Sequence, residues 1–286
     1  MNIRVIPRLD IKGPNLVKGI HLEGLRVMGK PERFARFYYE NGADELIYQD
    51  AVASLYGRNS LHTIVERTSR EIFIPLCVAG GLRSVDDIRE VLRAGADKVA
   101  VNTAAIQRPE LIREASETFG SSTIVSSIEA VRNSDGSYEA LVDYGRERTG
   151  VDAVEWAQQA VDLGAGEILL SSIDMDGTGK GYDLDLTRRV AGAVSVPVIA
   201  CCGCGGKEHV LEVIESGMAD AVSMASVLHY HLLRARPGEI NEEEFQEEGN
   251  IEFLKSLQSF NRVTPTDLPA IKRYLAESGV ACRAAP

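Results

Sequence analysis

No apolar run in this chain of 286 residues approaches the roughly 20 residues that span a bilayer. The opening MNIRVIPRL enters a strand-like run at once and lacks the basic and apolar regions of a signal peptide. Cysteine is sparse and odd in number, with five in all, at Cys77, Cys201, Cys202, Cys204 and Cys282. They lack the spacing of a secreted disulfide framework and read as reduced thiols. A cytoplasmic protein with no membrane contact is the expectation. Beside Cys201, Cys202 and Cys204 only His209 stands near ligand spacing, so no metal and no cofactor are expected. Positive charge is short as well: 31 basic residues against 42 acidic ones give a formal charge of −11. That balance argues against a nucleic-acid surface but leaves room for a local site for a phosphorylated metabolite.

What the chain does contain is half of itself, twice. IPLCVAGGLRSVDDIREVLRAGADKVAVNTAA, from Ile74, returns as VPVIACCGCGGKEHVLEVIESGMADAVSMAS, from Val196. Pro75 and Pro197, Gly95 and Gly217, and Gly42 and Gly164 all stand in register. A spacing this long is a duplicated half-domain and not a solenoid repeat, which recurs every few tens of residues.

Eight short β-rich runs, each followed by a helical pattern, are predicted at Arg4–Leu9, Glu45–Gln49, Ile72–Val78, Lys98–Val101, Thr123–Ile128, Glu167–Ser171, Val196–Ala200 and Ala219–Ser223. Most are continuous apolar runs, as for parallel strands buried on both faces. Eight strands in two equal halves predict one (β/α)8 TIM barrel over 1–286, in preference to an open doubly wound sheet. An acidic stretch at about 234–264 reads as a surface insertion before the closing helix, with a short helix over Ile251–Gln258.

Barrel chemistry gathers at the carboxyl ends of the strands. There the first run ends in Asp10 and the fifth in Glu129, equivalent places in the two halves. Two carboxyl groups facing each other across a mouth can serve as acid and base; a lone strand-end acid would more often cap a helix or pair with lysine. Gly80 and Gly81 follow the third run, and Cys202 and Gly203 the seventh. Asn102 and Thr103 follow the fourth, Ala225 and Ser226 the eighth, and Asp176, Gly177 and Thr178 form a flexible loop after the sixth. A single glycine pair is an ordinary tight turn, but two duplicated ones form two anion cradles, each beside a helix N-terminus. A substrate with two phosphates follows. Histidines 209, 229 and 231 read as structural or exposed, and Trp156 as core.

The runs IPRLDIKGPNLVKG, DELIYQD, GADKVAVNTAA, GAGEILLSSIDMDGTGKGYD and ASVLHYH closely resemble the cyclase subunit of imidazole glycerol phosphate synthase, over about 3–232 and again over the last helix. The resemblance implies that ammonia attacks a bisphosphorylated aminoimidazole carboxamide ribonucleotide with a ribulosyl arm. Imidazole glycerol phosphate and aminoimidazole carboxamide ribonucleotide are then released. It assigns Asp10 as the first catalytic acid and puts Glu129 where the family has a second aspartate. Lys18 falls on a mobile loop as a cation closing over substrate, although a solvated loop lysine is an equal reading. Cys202 replaces a glycine of the second cradle. Arg4, Glu45, Lys98 and Glu167 match a charged gate for ammonia, with Asp97 beside it on the face of a separate glutaminase partner. Without the family, four such charges would read as a salt-bridged barrel bottom. Two other readings stand: a paralogue that aminates another acceptor, such as an activated sugar, favoured by Glu129 and the insertion, and a non-catalytic ammonia conduit.

Overall fold

The computed structural model describes residues 2–53, 61–236 and 262–285. Eight parallel strands close on one another in the order β1 (Arg4–Lys12), β4 (Leu46–Asp50), β5 (Leu76–Ala79), β6 (Lys98–Val101), β7 (Ile124–Arg132), β10 (Glu167–Ser172), β11 (Val198–Cys201), β12 (Ala221–Met224) and back to β1. This is the expected barrel, with a helix after nearly every strand. Each half supplies four strands in succession, so β1 and β7 stand opposite one another.

Two predicted strands begin late for the same reason. Leu76 and Val198 follow Pro75 and Pro197, which cannot donate to a ladder. Their carbonyls instead accept from the neighbouring strands, at Leu46 N (2.9 Å) and Ile168 N (3.0 Å). The helices carry local stop and start signals: Ser84 and Asp87 form a reciprocal capping box, while Asp152, Asp183 and Asp267 each accept a first-turn N–H.

The main departure from expectation lies after β1 and β7. Each continues into an antiparallel hairpin, β2 (Asn15–Ile20) with β3 (Glu23–Gly29), and β8 (Tyr138–Val142) with β9 (Glu147–Asp152). The duplication therefore extends to the covers of the mouth. Leu22 of the first hairpin turn and Tyr144 of the second meet Ala51 in a small buried cluster over the strand ends, with Ile173 against it. The segment expected to be a loop is paired here as a β-ribbon.

The larger core lies between strands and helices and includes Trp156. A smaller one, including Ile6, Ile47, Val125, Leu169 and Ile199, fills the barrel's interior. Most of the acidic insertion, with the helix predicted at Ile251–Gln258, lies outside the described residues. No helix among the described residues is long and apolar enough to cross a membrane.

Candidate active site

Asp10 and Glu129 occupy matching posts at the tops of opposite strands. Asp10 pairs across to Val17 of its hairpin and Glu129 to Leu141 of the other. Both are buried, yet they line different cavities. The two posts stay in electrostatic contact, since Asp10 raises and Arg8 lowers the Glu129 pKa, and the Leu22–Tyr144 cluster lies over the strand ends.

Glu129 lines an open cavity of about 390 Å³ with Gly80, Gly81, Asn102, Thr103 and Tyr144. The Asn102 amide donates to Glu129 Oε2 at 3.0 Å and to Leu141 O at 3.1 Å. Burial pushes the Glu129 carboxyl up to about 7, against the opposing pull of Arg8, the Gly145 N–H and Asn102. Thr103 Oγ1 accepts from Asp143 N at 3.0 Å, which ties the second hairpin turn to the first cradle.

Asp10 sits in a cleft of about 20 Å³, lined also by Arg8, Lys18, Asp176, Gly177, Cys202, Gly203, Ala225 and Ser226. Arg8 Nε donates to Asp10 Oδ1 at 2.8 Å, and Lys18 Nζ lies 3.9 Å from Oδ2. Lys18, expected on a mobile loop, is instead a buried residue of β2 that grips Asp176 at 3.0 and 3.2 Å. Burial works against charge on Lys18, but Asp176 and Asp10 outweigh it and raise its pKa. Burial also opposes charge on Asp176, yet Lys18, Arg8 and the Leu22 N–H hold its pKa below the ordinary value. The loop around Asp176 is pinned rather than free: His21 N donates to its carbonyl and Leu22 N to its Oδ2, both at 3.0 Å. Thr178 lines neither cavity, and its hydroxyl donates to Met175 O within its own turn.

Arg8 is the residue that motif reading missed. Its second arm reaches Ser171 Oγ (3.1 Å) and Cys201 Sγ (3.4 Å), and Nη2 has no partner among the described residues. A signal existed: an arginine inside an apolar strand, two residues before Asp10, projects to the same face.

The two cradles share a backbone. Gly80 and Gly81 have φ of 96° and 74°, and Cys202 and Gly203 have 80° and 95°. At Gly80 a Cβ would lie 2.5 Å from Asp50 O, so glycine is needed there. Cys202 adopts the same left-handed conformation with a side chain attached, at some cost in strain. Asn102 and Ala225, which precede the two helix starts, also match, with φ of −126° and −128°. His209 accepts from Gly205 N at 3.0 Å and so holds the second turn, a structural role. His229 is fully buried, bonded through Nδ1 to Tyr38 Oη at 2.6 Å, and burial pushes its pKa down to about 3.

At the opposite end of the barrel the four charges form a closed alternating ring. Arg4 bonds Glu45 at 2.8 Å and also pairs with Glu167, while Lys98 bonds Glu45 at 3.0 Å and Glu167 at 2.9 Å. Asp97 stands apart from that ring: its Oδ2 accepts from Leu76 N at 2.9 Å. Asp44 does the same for Val5 N (2.8 Å) and Asp220 for Val198 N (2.9 Å). Asp97 is thus one of three repeated acids that fasten a turn to a neighbouring strand, so its carboxylate already has structural work to do.

These features define a half-barrel duplicate with two backbone-matched turns and an acid at each of two opposed strand ends. The sequence profile of the family described as Histidine biosynthesis protein matches residues 4–234. Imidazole glycerol phosphate synthase subunit HisF of Legionella pneumophila is 58% identical over 208 residues, covering 73% of this chain and 98% of that protein. The subunit of the same name from Streptomyces avermitilis is 50% identical over 240 residues, covering 84% and 94%. That of Methanocaldococcus jannaschii is 48% identical over 246 residues, covering 79% and 90%. The chain belongs to the histidine biosynthesis protein family.

Proposed function

We propose that this chain is the ammonia-using cyclase subunit of an imidazole glycerol phosphate synthase, working in the cytoplasm with a separate glutaminase chain. The observation that carries the reading is the coincidence of two backbone-matched cradles with Asp10 and Glu129 at the equivalent strand ends. Two cradles suit a substrate with a phosphate at each end, and the carboxylates between them suit proton transfer at the centre. Their surroundings divide the labour. Glu129 keeps its proton to about neutrality and serves as the acid; Asp10, with Arg8 and Lys18 against it, serves as the base. Tyr144 and Leu22 exclude water above them. Ammonia enters through the Arg4–Glu45–Lys98–Glu167 ring, on the face where the glutaminase docks.

The test is to mix the purified chain, ammonium salt and the ribulosyl intermediate and follow the loss of the intermediate's ultraviolet absorbance. Turnover supports the cyclase. No turnover by folded protein overturns it and favours amination of a different acceptor, such as an activated sugar, for which the longer acid Glu129 lining the larger cavity is the supporting observation.

A further inference from the structure

Cys201 and Cys202 are a dithiol. Their Sγ atoms lie 3.6 Å apart, both thiols are free, and both line the narrow cleft that holds Asp10. The first half builds the same turn without sulfur: Ala79 and Gly80 stand where Cys201 and Cys202 stand. The backbone therefore does not require thiols, and Cys202 carries its side chain at a φ of 80° where Gly80 carries none. Neither thiol has a chemical part in the proposed reaction.

The surroundings favour sulfur chemistry. Arg8 Nη1 lies 3.4 Å from Cys201 Sγ, so a cation faces the position where a thiolate would carry its charge. The Cys202 hydrogen bond and Arg8, against the cost of burial, hold the Cys201 thiol below its ordinary pKa, whereas the Cys202 thiol is held up by its bond to Cys201 and by burial. One sulfur is thus the nucleophile and its neighbour the proton-bearing second thiol. Both thiols line the cleft that opens at the mouth beside Asp10, so a small oxidant such as hydrogen peroxide entering the mouth meets them.

We propose that Cys201 and Cys202 form a peroxide-reactive thiol-modification site in the second anion cradle. The Cys201 thiolate attacks one peroxide oxygen. An S–O bond forms, the O–O bond breaks and hydroxide leaves, so sulfur is oxidised to the sulfenic acid as peroxide is reduced. The Cys202 sulfur then attacks Cys201 Sγ; the S–S bond forms, the S–O bond breaks, and the departing hydroxide takes the Cys202 proton and leaves as water. The protein has then lost two hydrogens. Adjacent Cα atoms lie about 3.8 Å apart across a trans peptide, below the usual disulfide range, so the bond is strained and readily reduced. The inference does not depend on the identity of the barrel's substrate.

The experiment exposes the folded full-length chain to hydrogen peroxide, denatures it in N-ethylmaleimide and maps the cysteines by mass spectrometry. The expected result is a peptide spanning 190–207 that is lighter by two hydrogens and is restored by dithiothreitol, while the part-exposed Cys282 remains alkylated. Cys204 shares that peptide, so Cys204→Ala must still form the cross-link. Cys201→Ser must lose it, slowing oxidation of the peptide by at least about tenfold. Cys202→Ser must stop at a sulfenic acid on Cys201 that dimedone traps. Unchanged oxidation in Cys201→Ser, loss of the cross-link in Cys204→Ala, or oxidation of Cys282 ahead of the pair would each overturn the proposal. Because the readout is mass and not turnover, a failure of the cyclase reading leaves this test intact.

Discussion

Glu129 shows how one residue's surroundings reach into both catalysis and stability. Its carboxyl sits at about 7 because burial penalises the charged form, with Arg8, the Gly145 N–H and Asn102 opposing incompletely. A folded-state pKa above the ordinary 4.5 favours the folded protein while the group is protonated. That contribution is complete below about pH 4.5 and is lost as pH rises through 7, with a span on the order of 3 kcal/mol. Glu129→Gln, which cannot ionise, should therefore be relatively more stable than the parent at pH 8 than at pH 5, as read from urea unfolding at both values. If Glu129 is the acid, the parent's rate per unit of free ammonia should fall above pH 7. The variant should be slow at every pH and lack that limb. Identical pH dependence in both proteins would assign the limb to another group. The Asp10–Arg8 pair gives the complementary case. Arg8→Met leaves a buried carboxylate with only the more distant Lys18, and should destabilise the fold by about 3–5 kcal/mol and lower turnover. Arg8→Lys, which keeps the charge but not the planar fork, should recover part of the stability but less of the turnover. Equal recovery of both would give Arg8 no role in positioning Asp10.

At the scale of elements, the sequence made the barrel legible and its covers obscure. Buried parallel strands write themselves as continuous apolar runs, and the paired Pro and Gly positions exposed the duplication. The hairpins left weaker marks. LVKGI and EGLRVMG mix charge with apolar residues, because an edge ribbon folded over a polar mouth has neither a clean alternation nor a solid apolar core. Lys18 looked like a loop lysine since its partner, Asp176, is 158 residues away and only the closed barrel brings the two together. Cys202 was legible as a departure from glycine, but its value depended on φ, which only the structure supplies. The Lys18–Asp176 pair anchors the first hairpin to the loop after β10, alongside the backbone bond from His21 to Asp176. Lys18→Met should thus raise hydrogen exchange across 16–29 and 173–178 together while leaving the strands β4 to β6 protected. Faster exchange confined to 16–29 would mean that the two segments are held independently.

Across the whole molecule, one axis runs from the charged ring at the amino ends of the strands, through the apolar filling of Ile6, Ile47, Val125, Leu169 and Ile199, to Arg8 and the two acids at the carboxyl ends. Ring and mouth therefore lie at opposite ends of the barrel, and their functions should separate. Asp97 is a poor probe of the ring end, because reversing its charge would also break its bond to Leu76 N and confuse docking with folding. Lys98 is better placed. It is partly exposed and bridges Glu45 to Glu167, so Lys98→Met opens one side of the ring while Arg4 still holds both acids. If a glutaminase docks there and delivers ammonia through the ring, glutamine-driven turnover should fall at least about tenfold, since a charge matched to the partner is lost and one side of the ring stands open. Turnover with free ammonium, which reaches the mouth from bulk solvent, should stay within a few-fold of the parent. Equal loss with both nitrogen sources would make the ring a structural clasp, and no loss with either would move the docking face elsewhere on the barrel.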